Sequence, residues 1–110
     1  MLEKAHNGTY LIAEMACSHE GDVKIARHII DAAGEAGASA IQFQIWKAKN
    51  IMSPRHQDFP LLEKIELEYD QWQAIYSYTK ERFPDMEVIA CVYDLESQSF
   101  CENMGVDAYK

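Results

Sequence analysis

Apolar residues along this chain follow two alternating spacings, one typical of strands and one typical of helices. Short apolar or alternating runs indicate strands of a parallel sheet, and apolar residues three or four positions apart indicate the helices between them. The predicted strands are 10–13, 40–46, 88–93 and 108–110. The predicted helices are 22–37, 61–65, 70–83 and 95–104. The pattern therefore predicts three βα units and the start of a fourth strand.

Residues that begin and end helices support these boundaries. Asp22 and Asp70 are suited to cap helix N-termini, and Gly37 and Gly105 follow helices as left-handed caps. The segment 47–60 is mostly polar and contains two prolines, so we expect a loop there.

The second predicted strand separates two fold classes. Strict βα alternation implies a parallel sheet, either an open doubly wound sheet or a closed barrel. Ile41, Phe43 and Ile45 share one face of this strand, and Gln42 and Gln44 share the other. A polar inner face favours the barrel, because barrel strands place functional polar groups inward.

The chain has 110 residues, whereas a (β/α)₈ TIM barrel typically needs about 250. We therefore expect residues 1–110 to form the N-terminal portion of such a barrel, an α/β fold incomplete at its C-terminus. A self-contained flavodoxin-like regulatory domain is the alternative, although it requires a fifth strand that the sequence does not show.

Charge and cysteine content narrow the functional classes. Eighteen acidic and ten basic residues give a net charge of −8, which argues against nucleic-acid binding but not against a small anionic substrate. Three cysteines, without a C-x-x-C pair, indicate neither a disulfide framework nor a zinc site.

The polar start, 1–9, lacks a secretory signal, and no apolar run is long enough to span a membrane. We expect a cytoplasmic protein.

Five segments, in order, resemble the N-terminal part of the sialic acid synthase (N-acetylneuraminate synthase) family. That family's pattern reads roughly I-A-E-I-G-x-N-H-x-G-D, A-G-A-D-A-V-K-F-Q, S-T-P-F-D and G-V-P-A-Y-K-I. The matching segments here are 12–14, 18–22, 36–44, 93–97 and 105–110. The resemblance covers essentially the whole chain.

The resemblance implies a fold and a reaction. Members of the family are (β/α)₈ barrels with a C-terminal antifreeze-like domain, usually homodimers. They condense phosphoenolpyruvate with an N-acetylated amino sugar such as N-acetylmannosamine, using divalent Mn²⁺ or Mg²⁺, to give a nonulosonic acid and phosphate. The family's metal ligands lie beyond the matched region, so we expect no metal site in this chain and no complete reaction from it alone.

The resemblance also assigns candidate site residues. Glu14 matches the family's active-site Glu and is the candidate catalytic residue. The candidate substrate-binding residues are His19, Gln42, Gln44, Cys91 and Lys110. Structural roles remain open for three of them: positioning of the loop for His19, hydrogen bonding inside the barrel for Gln44, and core packing for Cys91.

Two of these positions depart from the family pattern. Gln42 replaces the Lys that binds phosphoenolpyruvate, and Cys91 replaces a Thr. Loss of one charge-assisted hydrogen bond costs about 1.5–3 kcal/mol. The alternative function is therefore a non-catalytic or functionally diverged barrel fragment that binds a sugar or a protein partner.

Other conspicuous residues have structural explanations. Asp94 is expected to cap the helix that begins at Leu95, and Trp72, Tyr76 and Tyr78 to pack against the barrel's outer face. The basic residues of the 47–60 loop are expected to face solvent. They are Lys47, Lys49, Arg55 and His56.

Overall fold

The structure, a computed structural model, describes residues 8–110. The segment 1–7, which contributes to the expectation that no secretory signal is present, lies outside the described residues. The strands are β1 (Ile12–Ala16), β2 (Ala40–Ile45), β3 (Glu87–Val92) and β4 (Ala108–Tyr109). The helices are α1 (Val23–Glu35), α2 (Ala48–Ile51), α3 (Phe59–Ile65), α4 (Tyr69–Arg82) and α5 (Leu95–Met104).

The four strands form one parallel sheet in the order β1-β2-β3-β4. A doubly wound sheet reverses its strand order at a switch point, whereas strands of a (β/α)₈ barrel follow one another around the axis. The sequential order therefore confirms the barrel-type α/β fold, here with four strands. The flavodoxin-like alternative is wrong.

The hydrophobic core lies between one face of the sheet and the three long helices. Ile41, Phe43 and Ile45 are fully buried on that face, as the alternation in β2 predicted. From the helices, Ile30 of α1 and Trp72 of α4 pack into the same core. The opposite face of the sheet, which would line the inside of a barrel, is called the inner face below.

Most of the predicted helix ends are confirmed. The Asp22 side chain accepts a hydrogen bond from the backbone N–H of Lys24 at 2.7 Å. Gly37 has φ +81° after α1, and Gly105 has φ +84° after α5. Both angles favour glycine because a Cβ is disfavoured in the left-handed region.

The cap of α4 corrects one prediction. Glu68, not Asp70, is the N-cap, and Asp70 lies in the first helical turn. The Gln71 side chain accepts a hydrogen bond from the Glu68 backbone N–H at 2.8 Å, which forms a capping box. The helix therefore begins before the residue with the better capping propensity.

The first strand also differs from the prediction. It begins at Ile12 rather than at residue 10, and the Ile12 side chain is 49% exposed. Ile12 lies on the inner face, where the described residues supply no opposing strands. Its exposure follows from the sheet having only four strands.

The segment 47–60 is more ordered than its composition suggested. Residues 48–51 form the short helix α2, and Pro60 lies in the first turn of α3, where its missing N–H has no helical acceptor to lose. In the described residues, no helix has the length and apolar character needed to cross a membrane.

Lys47 corrects the expectation that the basic residues of this segment face solvent. It is 8% exposed, and its Nζ lies 3.0 Å from Glu68 and 3.6 Å from Glu66. Burial opposes its charge, but the hydrogen bond to Glu68 and the field of both carboxylates outweigh burial and raise the pKa of Lys47. Lys47 therefore joins the end of β2 to the loop before α4. Lys49, Arg55 and His56 are exposed, as predicted.

Candidate functional site

Three polar side chains from separate strands meet on the inner face. Gln42 of β2 donates from Nε2 to Glu14 Oε1 of β1 at 2.9 Å. The Nζ atom of Lys110, directly after β4, lies 3.7 Å from the same oxygen. We call Glu14, Gln42 and Lys110 the inner-face cluster. Together with Ile12 and Ile89 they border a concavity of about 430 Å³.

Strand register explains this convergence. Glu14 pairs with Gln42, and Gln42 pairs with Ile89, so these residues occupy one level of the sheet. Gln42 is 5% exposed, whereas the side chains of Glu14 and Lys110 are half exposed or more. The cluster therefore presents one accessible carboxylate and one accessible ammonium group, held around a buried amide.

A bulge in β1 determines which residue after Glu14 reaches the inner face. Glu14 pairs with Gln42, but Ala16 pairs with Phe43, so Met15 is an extra residue. Ala16 has φ +50°, in the left-handed region. The bulge places Cys17 beside Gln44, and the Cys17 thiol donates to Gln44 Oε1 at 3.4 Å.

His19 lies in the loop between β1 and α1 but away from the inner-face cluster. It is 2% exposed, and its ring meets Trp72 edge-on at 5.5 Å. Its Nδ1 accepts a hydrogen bond from the Gly21 backbone N–H at 2.9 Å. Burial lowers the pKa of His19, which favours the neutral imidazole that this hydrogen bond requires. The geometry fits a residue that holds the loop.

Gly21 brings that loop close to α3. It has φ +78°, and a Cβ at this position would lie 2.7 Å from the backbone oxygen of Lys64. Only glycine accommodates both the backbone angle and the close approach. The loop after β1 is therefore fixed by His19 from one side and by α3 from the other.

A second concavity, of about 200 Å³, opens at the carboxyl ends of β1, β2 and β3. We call it the mouth pocket. It is lined by Cys17, Gln44, Trp46, Ile51, Leu62, Ile65 and Tyr93. Tyr93 forms a hydrogen bond with Cys91, and this bond together with burial raises the pKa of Tyr93 to about 12. The phenol therefore stays protonated at neutral pH.

Comparison with known proteins identifies the family. The model of the NeuB family matches residues 29–110. The chain belongs to the NeuB family.

Individual NeuB-related proteins are similar across most of this chain. The N,N'-diacetyllegionaminic acid synthase of Campylobacter jejuni is 26% identical over 93% of the chain and 34% of its own length. The corresponding synthase of Legionella pneumophila is 25% identical over 92% of the chain and 32% of its length. The chain thus spans about a third of the length of these relatives.

Solved structures show the same fold. The N-acetylneuraminic acid synthetase of Leptospira borgpetersenii superposes with a TM-score of 0.84 at 22% identity, over 94% of this chain and 35% of that one. The spore coat polysaccharide biosynthesis protein spsE of Bacillus subtilis gives a TM-score of 0.69 at 27% identity, over 91% of this chain and 28% of that one.

The structure groups the candidate residues of this NeuB-family chain unevenly. Glu14, Gln42 and Lys110 come together in the inner-face cluster. Gln44 and Cys91 are register partners one level closer to the carboxyl ends of the strands. His19 belongs to neither group. The roles assigned to these residues stay predictions.

Besides Gln44, the mouth pocket has two polar lining residues, Cys17 and Tyr93, and the sequence interpretation missed both. Tyr93 lies two positions after Cys91, so the alternation of strand residues would have placed both on one face. Cys17 carries no such signal, because the bulge at Met15 reverses the parity of the residues after it. A strand pattern extended from Glu14 would have pointed Ala16 inward instead.

Within 8–110, no three His, Cys, Asp or Glu side chains are arranged to hold a metal ion. Glu14 is instead paired with Gln42 and Lys110. No catalytic step through a metal is assigned to these residues.

Proposed function

We propose that this chain forms the N-terminal part of a NeuB-type synthase barrel. The complete protein condenses phosphoenolpyruvate with an N-acetylated amino sugar of the N-acetylmannosamine type. The products are a nonulosonic acid and inorganic phosphate. The observation that carries the proposal is the convergence of Glu14, Gln42 and Lys110 on the inner face, in a chain whose relatives include legionaminic acid synthases.

Each member of the inner-face cluster has a distinct task in this proposal. The Lys110 ammonium attracts the phosphate or carboxylate of phosphoenolpyruvate. Glu14 accepts a hydrogen bond from a sugar hydroxyl, and Gln42 holds the Glu14 carboxylate in place through the 2.9 Å hydrogen bond. Because Lys110 also faces Glu14, binding of the anion shifts Lys110 from the carboxylate towards the ligand.

The departures at Gln42 and Cys91 favour a second candidate function, binding without catalysis. A neutral amide supplies no charge to phosphate, so the inner face carries fewer cations than the family pattern implies. In this case the concavity binds a neutral sugar, or the exposed sheet binds a protein partner.

Calorimetric titration of the chain with phosphoenolpyruvate tests the proposal. We expect saturable binding that is about tenfold weaker in Lys110→Gln, because one charge-assisted contact is lost. Lys24→Gln is the matched control, since Lys24 is exposed in the first turn of α1. Absence of phosphoenolpyruvate binding, with binding of a neutral sugar retained, would favour the second candidate.

A further inference from the structure

Tyr93 carries an accessible hydroxyl group directly after β3. Its side chain is 52% exposed and lines the mouth pocket. The hydroxyl forms a hydrogen bond with Cys91, and this bond raises the pKa of Tyr93, as expected when the protonated phenol is the donor. A thiol sulfur is a weak acceptor. The phenol can therefore exchange this bond for a stronger one to an oxygen atom of a ligand.

Cys91 and Tyr93 both differ from the family pattern. The pattern S-T-P-F-D has Thr where this chain has Cys91, and Phe where this chain has Tyr93. Each pair carries one side-chain hydroxyl, on the first residue in the pattern and on the second residue here. Because the Tyr93 hydroxyl is hydrogen-bonded to Cys91, it lies one hydrogen-bond length from the side chain at the Thr position. The two replacements therefore move a hydroxyl donor instead of removing it.

The Tyr93 hydroxyl also lies near the inner-face cluster. Cys91 follows Ile89, the register partner of Gln42, by two residues, and two residues of a parallel strand span about 6.6 Å. The negative charge of Glu14 contributes to the raised pKa of Tyr93, so the carboxylate and the phenol interact. The cluster and the phenol therefore border neighbouring parts of the inner face, over a span that suits a three-carbon phosphate ester.

We propose that Tyr93 is a ligand-binding residue whose hydroxyl donates to an anionic oxygen of phosphoenolpyruvate, in place of the hydroxyl that Cys91 lacks. A charged oxygen accepts more strongly than the neutral sulfur does. Lys110, 3.7 Å from Glu14, offsets the carboxylate charge near the phenol. This inference rests on the proposed function and adds a binding residue that the family pattern does not carry.

Reciprocal variants test the inference by calorimetric titration with phosphoenolpyruvate. Tyr93→Phe removes only the hydroxyl, and we expect about tenfold weaker binding because one hydrogen bond to a charged acceptor is lost. Adding Cys91→Thr to Tyr93→Phe returns a hydroxyl to the position it has in the family pattern, and should recover most of the lost affinity. Tyr76→Phe is the matched control, because it removes a phenol hydroxyl that donates to the Gly105 backbone oxygen. It should leave binding unchanged.

NMR of the chain, isotope-labelled at tyrosine Cζ, separates direct contact from a structural role. The resonance that is missing in Tyr93→Phe belongs to Tyr93, and saturating phosphoenolpyruvate should shift it. No shift, or no recovery of affinity on adding Cys91→Thr, would overturn the inference.

The same titrations distinguish this inference from the proposed function. If the unaltered chain binds phosphoenolpyruvate and Tyr93→Phe binds it equally well, the role of Tyr93 fails and the proposed function stands. If the unaltered chain does not bind phosphoenolpyruvate, the proposed function itself fails.

Discussion

Gln42 is the residue that most changes the chemistry of the inner face. It donates a hydrogen bond to Glu14 at a position where the family pattern carries a Lys. Lys110 is therefore the one positively charged side chain of the inner-face cluster. Gln42→Lys restores a cation beside Glu14, and we expect phosphoenolpyruvate to bind about tenfold more tightly. Calorimetry measures the change. Gln42→Met, which adds no charge, is the control, and equal affinity in Gln42→Lys and the unaltered chain would contradict the role of the cluster.

His19 links the stability of the chain to pH. Its folded-state pKa lies below the ordinary value of 6.5 because the ring is buried. The unfolded chain therefore binds a proton at His19 at higher pH than the folded chain does. Stability should fall as pH drops below 6.5, with a slope of up to about 1.4 kcal/mol per pH unit, until the folded-state pKa is reached.

Urea unfolding between pH 7 and pH 5 measures this dependence. His19→Gln should be less stable at pH 7 but should lose less stability on acidification. His56→Gln, at an exposed position, should retain the slope of the unaltered chain. If the free energy of unfolding falls as steeply with pH in His19→Gln as in the unaltered chain, a group other than His19 causes the pH dependence.

Asp94 connects two successive βα units. Its carboxylate accepts from the Ser97 backbone N–H at 2.7 Å, which caps α5, and from the Lys47 backbone N–H at 3.0 Å, directly after β2. Burial opposes ionisation, but the Ser97 and Lys47 donors outweigh it and lower the pKa of Asp94. The stabilisation is therefore present above the ordinary carboxyl pKa and is lost as pH falls through the lowered value.

Asp94→Ala should destabilise the chain by about 2–3 kcal/mol, from the lost cap and the unsatisfied N–H of Lys47. The urea midpoint at neutral pH measures this effect. Asp58→Ala is the matched control, because Asp58 is the N-cap residue of α3 but its side chain makes no capping hydrogen bond. Similar losses in both variants would contradict the proposed connection.

The elements show where sequence reasoning succeeds. Apolar periodicity depends on local burial, so it located the three long helices and the two faces of β2 correctly. Asp22 and Gly37 cap the two ends of α1 through contacts with residues close in sequence, and both caps were predicted. Local patterns of this kind are sufficient for most of the fold.

Contacts between distant segments were not predictable in the same way. Lys47 was expected in solvent because its partners Glu66 and Glu68 come from a loop that only folding brings close. The contact between Lys110 and Glu14 joins opposite edges of the sheet. The bulge at Met15 has no sequence signature, so the position of Cys17 beside Gln44 was missed.

At the scale of the whole molecule, residues 8–110 form a sheet with two edge strands and an inner face that no other described residues cover. Leu11 and Ile12 are exposed at the β1 edge, and Tyr109 is exposed at the β4 edge. Unpaired edges and exposed apolar residues favour association between chains. We expect light scattering to give masses above 12.6 kDa that rise with concentration. Ile12→Lys should reduce the association, whereas a monodisperse 12.6 kDa species would contradict this prediction.

In the proposed function, this chain carries working parts of a NeuB-type synthase. The most direct measurement is phosphate release from phosphoenolpyruvate by a hybrid that joins this chain to the C-terminal two-thirds of the N-acetylneuraminic acid synthetase of Leptospira borgpetersenii. With N-acetylmannosamine and Mn²⁺, we predict phosphate release together with a nonulosonic acid detected by mass spectrometry, at a higher rate in Gln42→Lys. A folded hybrid that releases no phosphate, with or without Gln42→Lys, would contradict the account.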